Sequence, residues 1–194
     1  MNEFTKAAQS FFLASDHPAC VAVSELLGAV DLSTEPSRPV ANDSQPTACR
    51  YLTEAFSSSN SVELARKLAD ANGNLTWQEA SREVVPTPMH GNNAYVQIVG
   101  PDAGFHSEQM RFGAFLMAPK ASYPLHSHAS EELYVVISGC GHWRFHDCQY
   151  ELKQPGTIAH IQSWVPHAIR SDDEPLLMLW AHFGDIDFTK YRVE

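Results

Sequence analysis

The sequence predicts a mainly β fold, a single jelly-roll-like barrel preceded by an α-helical extension. Two patterns support this fold class. From about residue 84 onward, short runs of alternating apolar and polar residues are separated by turn residues, as in antiparallel strands. In the first 83 residues, apolar side chains instead recur every three or four positions, as in amphipathic helices. We therefore expect a helical extension over residues 1–83, packed on the barrel, and a barrel over residues 84–194 that carries the functional site.

Four helices are predicted in the extension. The first carries an apolar stripe that includes Phe4, Ala8 and Phe12. The fourth opens at Asn60, where Glu63 three residues later makes a capping-box pattern. A loop rich in proline and small polar residues is expected over residues 31–46. The predicted helices cover residues 4–12, 18–30, 47–56 and 60–72.

Seven strands are predicted in the barrel, each a short apolar run bounded by turn residues. They cover residues 94–99, 109–117, 132–137, 142–146, 157–162, 167–171 and 176–183. Between the third and the fourth, Gly139-Cys140-Gly141 predicts a tight hairpin turn. Seven or more short strands indicate an all-β sandwich or barrel, in whose concave interior side chains from different strands converge.

Length and charge limit the class of protein. The 194 residues suit one domain with an appendage, and the formal net charge of −10 argues against nucleic acids and anionic membranes as partners. No apolar run reaches transmembrane length, and the N-terminus lacks the pattern of a secretory signal. The four cysteines show no C-x-x-C spacing, which favours reduced thiols in the cytoplasm. We expect a cytoplasmic monomer or homodimer that acts on a small molecule.

Two histidines and a carboxylate form the main candidate site. His126 and His128 are two positions apart, so both project from one face of an extended strand, and Glu132 enters from the start of the next strand. A second segment runs from a Pro-Gly turn through a strand and a bend to His167. These ligand types suit one divalent Fe, Mn, Zn, Ni or Co ion and leave positions open for water or substrate. A chance H-x-H is common on surface loops, but one followed by these residues at fixed spacings is not.

The two segments resemble the two sequence motifs of the cupin superfamily. The first family motif is H-x-H, three residues, Glu, six residues and Gly; the second runs from Pro-Gly through ten residues to a His preceded by Pro. The matching residues are His126, His128, Glu132 and Gly139, then Pro155, Gly156, Pro166 and His167. Thr157 stands where many cupins carry Asp, and Arg170 where many carry Asn. The resemblance implies a cupin barrel whose metal is bound by His126, His128, Glu132 and His167.

The run from Tyr123 to Tyr134 resembles the site segment of the Q-type cupin dimethylsulfoniopropionate (DMSP) lyases, as do the helical N-terminal part and residues 88–95. Those enzymes cleave DMSP to dimethyl sulfide and acrylate by β-elimination. The resemblance implies that Tyr134 is the catalytic base, or itself a metal ligand in place of one histidine such as His126. It implies for Tyr123 a substrate-binding role or that of the alternative base.

Aromatic residues are the expected surroundings of the substrate. Tyr134 follows Glu132 by two positions on one strand, so its phenol should face the same interior, where a metal ion would lower its pKa. DMSP is a small zwitterion whose sulfonium would favour aromatic faces. The candidates are Tyr95, Tyr123, Trp143, Trp164 and Trp180. Of these we expect Trp180, in a late strand, and Tyr95 to bind the substrate.

Two other functions fit the same motifs. One is a cupin dioxygenase or isomerase that acts on another small acid or thiol, and the other is a non-enzymatic cupin that binds a small ligand. The complete ligand set argues against the second, and no basic helix-turn-helix is evident. Among the other histidines, His160 and His182 lie in apolar strands, where a hydrogen-bonded core or pocket-lining histidine is the usual case.

Overall fold

The computed structural model describes residues 1–33, 45–58, 62–80 and 89–194. Its helices are α1 (Asn2–Leu13), α2 (Pro18–Gly28), α3 (Leu52–Ser57) and α4 (Val62–Ala71), with 3₁₀ turns over Thr47–Tyr51 and Asn72–Asn74. Its strands are β1 (Asn93–Gly100), β2 (Phe105–His106), β3 (Met110–Met117), β4 (Ser122–His128), β5 (Ser130–Ser138), β6 (Gly141–Phe145), β7 (Glu151–Lys153), β8 (Ile158–Ile161), β9 (His167–Ser171), β10 (Leu176–Gly184) and β11 (Tyr191–Val193). The described helices thus precede the strands, as the sequence predicts.

The first helix follows the predicted apolar periodicity, since Phe4, Ala8 and Phe12 are buried. The second, α2, begins with Pro18, whose missing N–H costs no helical hydrogen bond in the first turn. His17 caps this helix by accepting from the Ala19 amide at 3.2 Å. The predicted third helix is a 3₁₀ turn that continues into α3. The capping box at Asn60 and the boundary between residues 83 and 84 lie outside the described residues, so the division into two parts stays a prediction.

The strands form two sheets that pack against each other, the arrangement of a jelly roll. One sheet has six strands in the order β2-β1-β3-β10-β5-β8, and the other has five in the order β11-β4-β9-β6-β7. Apolar side chains from both sheets, among them Val136 and Met178 from the first and Trp143 and Ile169 from the second, form one buried cluster. The predicted fold class is confirmed, although the sheets do not close into a continuous barrel.

The seven predicted strands all occur, as β1, β3, β5, β6, β8, β9 and β10, with ends within two residues of the predicted bounds. Four further strands of the described chain, β2, β4, β7 and β11, are outside the predicted set. Three of them are only two or three residues long and bury few side chains, so they show no apolar alternation. The fourth, β4, contains Pro124 and mostly polar residues and so forms no apolar run, but it is the extended strand on which the sequence places His126 and His128.

The predicted tight hairpin at Gly139-Cys140-Gly141 is wrong. The flanking strands β5 and β6 belong to different sheets, so the chain crosses from one sheet to the other at this point. Gly139 has a φ of 72°, and a Cβ there would lie 2.1 Å from the carbonyl oxygen of Pro175. Glycine is therefore required for the crossing. Paired glycines indicate a turn, but they do not specify whether the strands on either side pair with each other.

The six-stranded sheet separates the helices from the space between the sheets. On β5, Leu133 and Val135 belong to the core shared with α1, α2 and α4, whereas Tyr134 belongs to the cluster between the sheets. On β10, Leu179 and Trp180 alternate in the same way. Both faces of these strands are buried, which explains their nearly continuous apolar sequences. Every second residue of β5 and β10 consequently faces the space between the sheets.

Two further observations concern membrane-spanning segments and the state of the cysteines. None of the described helices is long and apolar enough to span a membrane. All four cysteines are free thiols, and Cys20 and Cys49 are buried among the helices and the sheet they pack on.

Candidate active site

The candidate site lies where side chains from β4, β5, β9 and β10 meet between the sheets. His126 and His128 lie on β4, and His126 is opposite His167 in the β4–β9 ladder. One ring nitrogen from each of these three buried histidines lies within 4.8 Å of the other two. Glu132 on β5 brings a buried carboxylate to the same point. The structure thus brings together the four residues of the motifs, whose role as ligands stays a prediction.

Backbone carbonyl groups fix the orientation of the three rings. Nδ1 of each lies close to a carbonyl oxygen two residues away in the chain. The pairs are His126 with Pro124 at 2.8 Å, His167 with Val165 at 2.9 Å, and His128 with Ser130 at 3.0 Å. Because a carbonyl oxygen only accepts, each Nδ1 carries a proton, and Nε2 is the ring nitrogen that faces the cluster. Metal-ligating histidines are held in this way by the ring nitrogen that does not bind the metal.

The Glu132 carboxylate is shared among three histidines. Its Oε2 lies 3.2 Å from Nε2 of His128 and 3.3 Å from Nε2 of His167, and its Oε1 lies 2.7 Å from Nε2 of His182. The contact to His167 lacks hydrogen-bond alignment, so within the described chain this buried Nε2 has no hydrogen-bond partner. A buried lone pair beside other lone pairs and a carboxylate is costly without a cation. This donor set therefore fits a divalent metal ion.

Burial and mutual contacts set the ionisation of the cluster. Burial opposes ionisation of Glu132, but the histidines around it, His182 first, outweigh burial and hold its pKa well below the usual 4.5. Burial lowers the pKa of His126 well below 6.5, and the nearby His167 lowers it further. Burial also lowers the pKa of His128, but its hydrogen bond to Glu132 makes the net shift upward. An ionised carboxylate and a neutral His126 are the states that a metal ion requires.

His182 is a site residue that the motifs do not include. It lies on β10 directly opposite Glu132 on β5, and its ring stacks on that of His128 with centroids 4.7 Å apart. Together His128, Glu132 and His182 form a second buried group whose ligand atoms lie within 4.8 Å of one another. The sequence predicts a core or pocket-lining role for His182, and it does line the pocket. The sequence signal for this position is the spacing on the strand. His182 lies two residues after Trp180, so the two side chains project from the same face.

Tyr134 is buried, and its phenol lies near enough to the Glu132 carboxylate for the charge of Glu132 to act on it. Both residues line the pocket, which agrees with their spacing on β5. Burial, and then the charge of Glu132, raise the pKa of the Tyr134 phenol well above 10.0. The protein alone therefore shifts this pKa in the direction opposite to that expected beside a metal ion. Only an added positive charge can reverse the shift.

Tyr123 and Tyr191 flank the ring of His126. Tyr123 stacks on it with centroids 4.0 Å apart, and Tyr191 lies nearly parallel to it at 5.3 Å. The Tyr191 hydroxyl donates to the Tyr123 hydroxyl at 3.4 Å, and the pKa of Tyr123 is raised well above 10.0, first by burial and then by Tyr191. Tyr191 is a pocket residue that the sequence analysis misses, because the three-residue strand β11 gives no periodic signal. Tyr123 also lines the pocket.

The cluster opens into a pocket of about 200 Å³ lined largely by aromatic rings, a volume that suits a molecule smaller than a typical drug. Trp180 lies opposite Tyr134 in the β5–β10 ladder, and its ring meets that of Tyr95 edge-on with centroids 6.4 Å apart. Asp187 and Phe188, in the segment after β10, line the pocket as well. Both predicted substrate-binding residues, Trp180 and Tyr95, thus line the pocket.

The other aromatic candidates lie elsewhere. Trp143 is fully buried in the cluster between the sheets, and Trp164 is 39% exposed with the guanidinium of Arg192 over its ring at 4.3 Å. Neither lines the pocket. His160 also lies outside it, where its Nε2 lies 2.8 Å from Oε2 of Glu131.

Sequence comparisons identify related proteins for much of the chain. Residues 27–178 match the profile of the dimethylsulfoniopropionate lyase family. The putative dimethylsulfoniopropionate lyase DddL of Cereibacter sphaeroides is 33% identical over 123 residues, which cover 62% of this chain and 51% of the relative. Dimethylsulfoniopropionate lyase DddQ of Ruegeria pomeroyi is 27% identical over 90 residues, which cover 46% of this chain and 45% of the relative. The chain spans about half the length of the curated relatives it matches.

Solved structures share the fold over nearly the whole chain. A structure of the DMSP lyases RdDddP and RnDddQII has a TM-score of 0.79 at 21% identity, covering 99% of this chain and 96% of that one. DddQ from Ruegeria pomeroyi has a TM-score of 0.76 at 20% identity, covering 100% and 97%. A cupin-like protein from Thermotoga maritima has a TM-score of 0.50 at 14% identity, covering 60% and 84%. At these identities the likeness shows the fold, the cupin jelly roll.

Proposed function

Because this chain belongs to the dimethylsulfoniopropionate lyase family, we propose that it cleaves DMSP to dimethyl sulfide and acrylate in the pocket between its sheets. The proposal rests on one observation, the convergence of three imidazoles and a carboxylate beside a buried phenol and an aromatic wall. The elimination needs a group that binds the substrate carboxylate, a base next to the adjacent carbon, and a site for the sulfonium. The pocket offers a candidate for each.

The reaction is an elimination that needs no oxidant, reductant or water. A base removes a proton from the carbon next to the carboxylate, and the electron pair of that C–H bond forms the C=C bond of acrylate. The C–S bond breaks, and its electron pair leaves with sulfur as neutral dimethyl sulfide. The proton is weakly acidic because its removal places a second negative charge beside the carboxylate. The protein must therefore stabilise that charge and present a strong base.

The proposed metal ligands are His126, His128, Glu132 and His167. One divalent Fe, Mn, Zn, Ni or Co ion suits this donor set. When bound, it would supply Lewis-acid stabilisation of the substrate carboxylate and a positive charge near the Tyr134 phenol. The protein's own part is to hold the three rings by the carbonyl contacts at Nδ1 and to keep Glu132 ionised.

Tyr134 is the proposed base. Its burial and the neighbouring Glu132 keep the phenol protonated in the protein alone, so a phenolate formed there would bind a proton strongly. The same position beside Glu132 would let its oxygen act as a ligand in place of one histidine such as His126. Tyr123, which stacks on His126, is the alternative base or a substrate-binding residue.

Trp180 and Tyr95 are the proposed sulfonium site. A sulfonium is a soft, poorly hydrated cation, and aromatic faces attract such cations in a desolvated pocket. Asp187 adds a carboxylate to the same pocket, and the pKa of this group is held below its usual 3.8 by hydrogen bonds from Thr189. Its charge is complementary to the cationic end of the substrate.

Headspace gas analysis tests the proposed function. Protein reconstituted with Mn²⁺, Fe²⁺, Zn²⁺, Ni²⁺ or Co²⁺ and supplied with DMSP should release dimethyl sulfide and an equal amount of acrylate without consuming oxygen. The chelator-stripped protein is the control and should be inactive. Oxygen consumption on another small acid or thiol would favour a cupin dioxygenase, and binding without turnover would favour a ligand-binding cupin. The cytoplasmic location and the choice between monomer and homodimer stay predictions.

A further inference from the structure

Both ring nitrogens of His182 have oxygen partners. Nε2 lies 2.7 Å from Oε1 of Glu132, and Nδ1 lies 2.9 Å from the hydroxyl oxygen of Ser130. All three side chains are buried, with exposed fractions of 8% for His182, 2% for Glu132 and 3% for Ser130. A histidine that binds a metal needs one free nitrogen lone pair. The Nε2 of His182 contacts Glu132 at 2.7 Å, closer than the Nε2 of His128 at 3.2 Å, so His182 is the histidine held more tightly to this carboxylate. Its distance from His128 and Glu132 alone would also allow it to be a ligand.

The direction of each hydrogen bond follows from the chemistry of the groups. Glu132 is ionised and can only accept, so Nε2 of His182 is the donor. In the neutral ring the other nitrogen, Nδ1, then accepts, and the Ser130 hydroxyl is the donor beside it.

The Ser130 hydroxyl extends the chain of hydrogen bonds to His128. Its oxygen lies 2.9 Å from Nδ1 of His128, which also lies 3.0 Å from the backbone oxygen of Ser130. Because the Ser130 hydrogen is directed to His182, its oxygen can only accept from His128. The bonds therefore run in one direction, from His128 to Ser130, to His182 and to Glu132. Each step fixes the tautomer needed by the next.

We propose that Ser130 and His182 are positioning residues that hold the Glu132 carboxylate for metal binding, and that His182 is not itself a ligand. With Oε1 occupied by His182, Oε2 is the oxygen that faces His128 and His167, at 3.2 and 3.3 Å. The inference rests on the proposed function, because it assumes that these residues hold a metal ion. It adds His182 on β10, which lies outside both cupin motifs, and Ser130 on β5, a spacer position of the first motif whose residue type the motif does not specify.

Metal affinity measured by chelator competition with Zn²⁺ tests the inference. His182→Ala removes the donor to Glu132 and should weaken Zn²⁺ binding by roughly 10- to 100-fold, as for other residues that orient metal ligands. His182→Gln keeps an N–H donor but is a poor metal ligand, so it should recover most of that loss. Ser130→Ala leaves the tautomer of His182 unfixed, so its Zn²⁺ affinity should lie between those of His182→Ala and wild type.

The matched control is His160→Gln. His160 makes the same kind of contact, Nε2 to a glutamate oxygen at 2.8 Å, but to Glu131 and outside the pocket. The Zn²⁺ affinity of the His160→Gln protein should equal that of wild type. The visible spectrum of the Co²⁺-loaded protein gives a second readout, since loss of a nitrogen ligand changes the absorption bands. His182→Gln should keep the wild-type band pattern.

The outcomes separate the inference from the proposed function. Equal losses in His182→Ala and His182→Gln, with altered Co²⁺ bands, would make His182 a ligand and overturn the inference. Wild-type affinity in His182→Ala would overturn it as well. If His182→Ala does not fold, the Zn²⁺ affinities of His182→Gln and Ser130→Ala and the Co²⁺ spectrum of His182→Gln decide whether the inference holds. A wild-type protein that binds no metal or releases no dimethyl sulfide would instead contradict the proposed function, whatever the variants do.

Discussion

Trp180 on β10 lies directly opposite Tyr134 on β5, as a cross-strand pair of one antiparallel ladder. Side chains at such positions have Cβ atoms about 5 Å apart. In DMSP the carbon that loses the proton is separated from the sulfur by one methylene carbon. A base and a sulfonium site must therefore be neighbours, and this ladder holds the two candidates as neighbours on a rigid sheet.

The first prediction concerns the sulfonium site. Trp180→Ala should raise KM for DMSP by roughly thirtyfold, because a cation–π contact in a desolvated site contributes about 2 kcal/mol. The effect should be mainly on KM, since Trp180 is not expected to take part in proton transfer. Steady-state kinetics measures the change in KM, and a thermal melt measures any loss of stability separately. Trp164→Ala, which removes a tryptophan 39% exposed and outside the pocket, should leave KM unchanged. An unaltered KM in Trp180→Ala would remove Trp180 from the site.

The second prediction concerns the metal. His128→Ala and Glu132→Ala should each lower metal content and activity together, because each removes a proposed ligand from a buried cluster. Elemental analysis after gel filtration gives the metal content per chain. His142→Ala is the control, because His142 is a partly exposed residue that lies 3.5 Å from Asp172 on the surface. Full occupancy in both site variants would contradict the ligand assignment.

The sequence predicts the β region well because its strands are buried on one or both faces. The apolar runs of β5 and β10 and the fixed spacing of His126, His128 and Glu132 are strong signals, and residues at those positions do meet. The crossing at Gly139 is not predictable in this way, since a glycine turn looks the same whether it joins paired strands or different sheets.

Two site residues lie outside the motifs. His182 and Tyr191 lie far along the chain and reach the site only through strand register, β10 against β5 and β11 against β4. Spacing along β10 shows the face on which His182 lies, but its pairing with Glu132 and the whole position of Tyr191 depend on register, which the packing of the sheet sets. The direction of the Tyr134 pKa shift has a similar origin, because burial in the folded protein is its largest cause.

The third prediction concerns stability in acid. In the metal-free protein the pKa of Glu132 lies well below its unfolded value of about 4.5. Its ionised form therefore contributes stability that is fully present above pH 4.5 and is lost as the pH falls through the folded pKa. Thermal melts of the metal-free protein at a series of pH values should show Tm falling below this pH. The fall should be smaller in Glu132→Gln, which cannot titrate, and an identical pH dependence in both proteins would contradict the prediction.

The fourth prediction concerns Tyr191. Tyr191→Phe keeps the ring beside His126 but removes the hydroxyl that donates to Tyr123 at 3.4 Å. One hydrogen bond contributes about 1 kcal/mol net, so a change in KM or kcat of several-fold is expected. Tyr191→Ala also removes the stacked ring and should lower activity further. Steady-state kinetics at matched metal content should rank the activities as wild type, then Tyr191→Phe, then Tyr191→Ala. A Tyr191→Ala enzyme as active as wild type would show that β11 does not shape the site.

The last prediction concerns Tyr134. Tyr134→Phe keeps the ring and its packing, so the fold should survive, while activity on DMSP should fall by roughly 10²- to 10⁴-fold because the base is lost. In wild type the active form would be the phenolate, so activity should rise with pH towards the phenol pKa. Metal content must be measured beside the rate.

Loss of metal together with activity in Tyr134→Phe would make the phenol a ligand, in place of a histidine such as His126. A Tyr123→Phe protein that is inactive while Tyr134→Phe is active would assign the base to Tyr123 instead. Removal of the metal from wild type provides an independent check. Burial and Glu132 then hold the pKa of Tyr134 well above 10.0, so an ultraviolet titration should show no ionisation of this phenol below that pH. A folded, metal-loaded Tyr134→Phe protein with nearly full activity would exclude Tyr134 as the base.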